Sequence, residues 1–233
     1  MRSVFRDPAL RSVATASMAL GAAVGVFGIS FGVGAVSAGA SVMQACAMSL
    51  LVFTGASQFS AVSVIGAGGT TVSALAGALV LAARNGAYSL TMGRRLPGRL
   101  GTRLVAAQLT IDESTAMSVT QPEAAAQRAA FWITGLSVYV FWNTGTLIGA
   151  LIGTAVDPKT FGLDAAFPAG FVAMVWPLLR DPRGRLAAGL GAAICLVLVP
   201  ITPIGVPILC ASLAVLVGVP RPAAVATSAG DQA

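Results

Sequence analysis

A few polar residues stand inside long apolar stretches of this chain, where an amide or a charge is costly unless it is used. Thr54, Ser57 and Gln58 flank Gly55 in the run Phe53-Thr-Gly-Ala-Ser-Gln-Phe59. Arg84 and Asn85 are the next polar pair, and Asp112-Glu113 is the one adjacent acidic pair of the chain. Asn143, beside Trp142, sits in the middle of another apolar window. Together these types suit a small zwitterion: Thr54, Ser57 and Gln58 could ligate its ammonium and carboxylate, and the Arg84 guanidinium could pair with its carboxylate. Each also has a plainer role. Hydroxyls can satisfy a helical carbonyl, and Gln58 can cap a break beside Gly55. Arg84, about 15 Å along a helix from Arg94, can snorkel to an interface or pair with Asp112 or Glu113. The acidic pair can open a helix capped by Thr110, or act in proton coupling. Asn143 would seek a hydrogen bond to a neighbouring helix.

Other chemistries are absent from the sequence. There is no histidine, which removes the commonest metal ligand and any imidazole proton relay. No catalytic triad, phosphate-binding loop, metal cluster or dinucleotide fingerprint occurs. The chain reads as neither an enzyme nor a cofactor protein. Cys46, Cys195 and Cys210 lie in apolar windows and read as free thiols.

The elements that must position these residues are membrane helices. The 233 residues are 56% hydrophobic and only 9% charged, against roughly 25% charged in soluble domains. Ser12 to Ala83 contains no Asp, Glu, Lys or Arg, and Ala129–Val156 and Leu186–Pro220 are charge-free as well. About 20 apolar residues cross a bilayer, so the first run is too long for one crossing. It also exceeds the roughly 7–15 apolar residues of a secretory signal. The reading is an all-α, polytopic transmembrane bundle, with one integral membrane domain over residues 1–222 and a small, polar, disordered tail over 223–233.

The net charge of +6 is not a nucleic-acid footprint, because the basic residues fall between apolar windows. Arg2, Arg6 and Arg11 set the N-terminus in the cytoplasm. Arg94, Arg95, Arg99 and Arg103 form a second cytoplasmic cluster, and Arg180, Arg183 and Arg185 a third. Asp157–Asp164, with Lys159 alone, suits the outside. Cytoplasmic flanks at Arg11 and Arg94 demand an even number of crossings between them. Val13–Val36 and Thr71–Met92 provide two. Val42–Gly66 is left as two short crossings, as half-helices entering and leaving one face, or as a single crossing against the charge rule. Discontinuous helices of the second kind build transporter sites. Later windows predict helices over Ala129–Thr154, Phe167–Leu179, Leu186–Val199 and Ile204–Val217, with Leu104–Thr120 an amphipathic segment. Gly21, Gly25, Gly28, Gly32 and Gly34, and later Gly145, Gly149 and Gly153, suit close helix packing within the chain or across a dimer. The two halves of the chain share a composition but no residue-level repeat.

The run Phe53–Phe59, Gly66-Ala-Gly-Gly69, Arg84, Tyr88, the arginine-rich loop and Ile111-Asp-Glu-Ser follow in an order that resembles the AzlC family of branched-chain amino acid permeases. Trp142-Asn-Thr-Gly145 and Phe167-Pro-Ala-Gly-Phe171 are similar to that family as well. Two positions depart: Ala82 stands where a polar residue is expected, and Ile111 where Thr is more usual. The resemblance implies a secondary transporter exporting valine, leucine, isoleucine or analogues, in the bacterial cytoplasmic membrane with a small AzlD-like membrane partner. On that expectation, Thr54, Gly55, Ser57, Gln58 and Asn143 contribute to substrate binding and Arg84 and Asn85 orient a carboxylate. Asp112 and Glu113 gate or couple protons. Import, or a scaffold role beside a transporting partner, is the alternative.

Overall fold

A computed structural model of the protein describes residues 8–155, 169, 172 and 175–218. Arg2, Arg6, Asp157–Asp164, six residues of the expected helix Phe167–Leu179 (Phe167, Pro168, Gly170, Phe171, Ala173 and Met174), Arg221 and the tail 223–233 lie outside the described residues, and the described end of that segment, Trp176–Arg180, is a 3-10 helix. Among the described residues every regular element is helical.

Two long helices form the spine, α1 (Pro8–Ser37) and, after five shorter ones, α7 (Ala124–Ala155). They are the two described helices long and apolar enough to cross a membrane. They run parallel. Ser17 Oγ lies 2.7 Å from Thr134 Oγ1 near their starts, and a Cβ on Gly153 would lie 3.3 Å from Val33 Cα near their ends. Between these points the glycines let the backbones touch. A Cβ on Gly28 would come within 2.6 Å of the Trp142 carbonyl oxygen, and one on Gly145 or Gly149 would collide with the carbonyls of Gly25 or Ile29. The glycine spacing therefore serves packing within the chain.

From the end of α1 the chain folds back twice. Ser41 starts α2 (Val42–Val52) with a reciprocal cap: its hydroxyl accepts from Gln44 N–H at 3.2 Å, and its own N–H donates to Gln44 Oε1 at 2.8 Å. The helix stops at Phe53, and α3 (Ala56–Gly66) returns. Met48 of α2 packs against Ala61 and Val64 of α3, and a Cβ on Gly66 would lie 3.1 Å from Ala38 Cβ. The segment Val42–Gly66 is thus a V of two half-helices, entering and leaving beside the end of α1.

α4 (Thr71–Arg95), capped by Thr70, starts at that same end; Ala74 packs with Val64. By Arg84 it has returned to the level of Val24 and Phe27 of α1. A second V follows, from the opposite end of the spine. α5 (Leu100–Gln108) runs back along α4, so that Ala106 and Thr110 line a small cavity with Ser89 and Met92. α6 (Asp112–Val119) then leads away from the centre, and Ser118 Oγ donates to the carbonyl of Gln127 at 3.0 Å, at the start of α7. The segment Leu104–Thr120, read from sequence as amphipathic and either lying at the interface or dipping into the protein, holds parts of two helices that meet at residues 109–111.

α1–α2–α3 and α4–α5–α6 are each a long helix followed by a V, and they run in opposite directions. α8 (Pro182–Leu198) begins earlier than its apolar window, because Asp181 accepts from Gly184 N–H at 3.1 Å and Pro182 fits the first turn. The expected helix Ile204–Val217 is broken into α9 (Val206–Ala211), a 3-10 turn (Ser212–Ala214) and α10 (Val215–Gly218). Pro207 lies at the start of α9. α9 packs on α4: Ile208 lies against the cluster of Ala61, Val64 and Ala74, and a Cβ on Gly77 would lie 3.9 Å from Ile208 Cγ2.

Candidate functional site

The first break is fixed locally. Phe53 has φ 42° and Gly55 has φ 61° with ψ −90°. The second conformation is one that glycine reaches without a Cβ penalty. A broken helix strands backbone groups, and side chains meet them here. Gln58 Oε1 accepts from Thr54 N–H at 3.2 Å and Gly55 N–H at 3.1 Å, while its Nε2 donates to the Met48 carbonyl at 3.1 Å. The hydroxyls of Thr54 and Ser57 bond each other. Two distant residues reach the last carbonyls of α2: Tyr139 Oη donates to Leu50 at 3.1 Å, and Gln108 Nε2 to Leu50 at 2.9 Å and Leu51 at 3.2 Å.

The second break has neither glycine nor proline. Ser114 makes it: its Oγ accepts from Ile111 N–H at 3.1 Å and donates to the Leu109 carbonyl at 2.6 Å. Thr110 does not cap α6 as its type suggested. Its hydroxyl bonds back to the Ala106 carbonyl at 2.7 Å. Ile111, the position that departs from the AzlC pattern, is the N-cap residue of α6, and its apolar side chain has no oxygen to offer.

The two breaks face one cavity of about 90 Å³. Thr54 and Gly55 line it from the first V, Asp112 and Glu113 from the second, and Arg84 and Asn85 from α4. Its apolar wall comes from Val24, Phe27, Phe53, Ile111, Val138 and Trp142. Arg84 Nη1 and Asp112 Oδ2 close an ion pair at 2.5 Å, each side chain 36% exposed. Four buried polar atoms of the lining have no hydrogen-bond partner among the described residues: Arg84 Nε, Trp142 Nε1, Asn85 Oδ1 and Asp112 Oδ1. Native proteins seldom leave such groups unpaired, so a cluster of them around one space points to a polar ligand.

Not every residue singled out in the sequence lines the cavity. Ser57 and Gln58 are buried beneath the break and bind the chain itself. Asn143 is not in the lining. Its Nδ2 donates to the Tyr139 carbonyl of its own helix at 2.7 Å rather than across to a neighbour. Phe27, Val138 and Trp142 were not legible as lining residues, because apolar positions in a membrane helix look alike from sequence. Only the place of Trp142, beside an intrahelical Asn, offered a signal. Ala82 does not line the cavity and Asn85 does, so the polar position of α4 lies there. Among the described residues no group of His, Cys, Asp and Glu could hold a metal ion.

Two proteins from two Helicobacter pylori strains, each described as an uncharacterized membrane protein, are similar to this chain. One is 26% identical over 178 residues, covering 74% of this chain and 78% of its own length. The other is 25% identical over 174 residues, covering 74% and 76%. No solved structure matches the chain. The family model for AzlC proteins matches residues 19–156, a span holding every residue of the cavity lining. The protein therefore belongs to the AzlC family, a family of transport-associated membrane proteins.

Proposed function

We propose that the protein is a multi-pass subunit of a secondary transporter in the bacterial cytoplasmic membrane. It exports branched-chain amino acids such as valine, leucine and isoleucine, and works with a small AzlD-like membrane partner. The observation that carries this reading is the set of unpaired atoms around the cavity. Two are donors (Arg84 Nε, Trp142 Nε1) and two are acceptors (Asn85 Oδ1, Asp112 Oδ1). An α-amino acid offers the complement, a carboxylate that accepts and an ammonium that donates. The apolar wall suits an aliphatic side chain. One methylene in such a wall is worth about 1–3 kcal/mol, so discrimination among the three amino acids is loose.

The architecture supports transport in the same way. The half-helices have 11 and 11 residues in the first V and 9 and 8 in the second, so they are about 12–16 Å long, up to half of the roughly 30 Å hydrocarbon core. Two such V-shaped segments entering from opposite faces would bring their tips to the midplane, where transporters bind substrate. Arg11, Arg94, Arg95, Arg99 and Arg103 gather toward one end of the spine, which fits a cytoplasmic N-terminus. The ion pair supplies a gate. A substrate carboxylate competes with Asp112 for Arg84, and the released Asp112 then faces the substrate ammonium. The open acceptor of Asn85 also moves that residue's role from the carboxylate to the ammonium. Protonation of Asp112 or Glu113 would weaken the same contacts and couple export to the proton gradient.

The test is efflux of labelled leucine, isoleucine or valine from preloaded proteoliposomes containing this subunit and its small partner. Export of at least one is expected; no movement of any aliphatic amino acid sinks the reading.

A further inference from the structure

Trp142 is 4% exposed, and it has a single polar atom, the indole N–H, which is buried and unpartnered among the described residues. Buried tryptophans ordinarily find a partner for that donor. The ring is held where it is. It stacks on Phe31 at 5.9 Å with planes 23° apart, and Phe59 meets it edge-on at 5.9 Å. Its backbone is pinned by the close approach of Gly28. At the far end of the indole, a Cβ on Gly55 would sit 4.0 Å from Cη2, so the ring spans from the spine to the first break. Phenylalanine would fill the same stack without stranding a donor, so packing accounts for the ring but not for the nitrogen. Arg84 and Asp112 already spend other atoms on each other, whereas the whole polar capacity of Trp142 is vacant.

We infer that Trp142 is a substrate-binding and specificity-determining residue: its indole N–H donates to the carboxylate of the bound amino acid, and its fixed ring sets how deep the aliphatic side chain can reach. This rests on the cavity being an amino acid site. A donor fixed in a rigid aromatic stack favours ligands that present an acceptor at that point. Free α-amino acids are therefore preferred over amines of the same carbon skeleton.

Calorimetric titration of leucine into the full chain, assembled with its small partner in nanodiscs, provides the test. The wild type binds leucine, and Trp142→Phe binds it about ten- to one-hundredfold more weakly, the loss of one hydrogen bond to a charged group. Fluorescence gives a readout that a merely structural tryptophan would not move. The chain has three tryptophans, and Trp132→Phe with Trp176→Phe, measured with a partner whose own tryptophans are replaced by Phe, leaves Trp142 as the one tryptophan. Leucine shifts or quenches its emission with the calorimetric midpoint. Unchanged leucine affinity in Trp142→Phe, or silent emission while leucine binds, overturns the role of Trp142 and leaves the site standing. A wild type that binds no leucine, valine or isoleucine overturns the site and this inference together.

Discussion

The turn between α2 and α3 is sealed by uncharged side chains, whereas the turn between α5 and α6 carries the acidic pair into the cavity. At the first turn, Gln58 alone holds two backbone N–H groups and a carbonyl, and Tyr139 and Gln108 close the carbonyls that remain. At the second, Ser114 closes the backbone with one oxygen, and Asp112 is free to pair with Arg84 on another helix. The first turn is thus a scaffold whose backbone groups are taken up by Gln58, Tyr139 and Gln108, with Thr54 and Gly55 adding uncharged surface to the cavity. The second is held more lightly and offers charge to the cavity. Two breaks of similar shape divide the work of a site. One fixes the backbone, and the other bears the groups that, on the proposed mechanism, would exchange partners.

This division can be broken by substitution. Gln58→Leu has the largest expected effect, because it leaves three backbone groups unpaired in a buried place. A loss of about 3 kcal/mol or more is expected, seen as a lower melting temperature and a poor yield of assembled protein, with transport falling in proportion. Arg84→Ala comes next and acts the other way. Transport falls by about a hundredfold, the scale of lost hydrogen bonds between charged groups. The melting temperature changes little, since a partly exposed ion pair contributes about 1 kcal/mol or less. Asp112→Asn keeps the shape and removes the charge, and about a tenfold loss of transport in a folded, assembled protein is expected. If Arg84→Ala or Asp112→Asn instead prevents assembly, the second turn is scaffold too and the contrast fails. Ser114→Ala sharpens it at the small end. About 1 kcal/mol of stability is lost, measured by thermal unfolding, with leucine affinity shifted less than by Asp112→Asn.

A separate measurement addresses coupling. The wild-type export rate should vary with external and internal pH, and Asp112→Asn with Glu113→Gln should flatten that profile in whatever transport remains. A profile in the double variant as steep as the wild type removes both carboxylates from coupling.

Much of the first turn was legible. Gly55 in a charge-free run, with Gln58 three residues on, marks a break and its cap, and the parity of the arginine clusters made Val42–Gly66 the odd segment. The second turn was hidden. Leu109-Thr-Ile111 contains no residue that breaks a helix by itself, and Ser114 reads as an ordinary helical serine. Its Oγ closes the break on the Ile111 N–H and the Leu109 carbonyl, a role that its place in the sequence does not announce. The glycine stripes were legible as packing surfaces, but their partner was not, because small-residue spacing reads the same within a chain as between chains.

The sequence by itself determined the helical class and the residence in a membrane, and it marked Gly55 as the place where Val42–Gly66 would break if it broke. Each follows from local physics: apolar length against bilayer depth and the positive φ that glycine admits. The tertiary structure decided which polar atoms remain open. That Gln58 is spent on backbone while Arg84, Asn85, Asp112 and Trp142 keep unpaired atoms around one cavity depends on residues far apart in the chain. A hydrogen bond is counted only where both partners meet, and the fold alone brings them together.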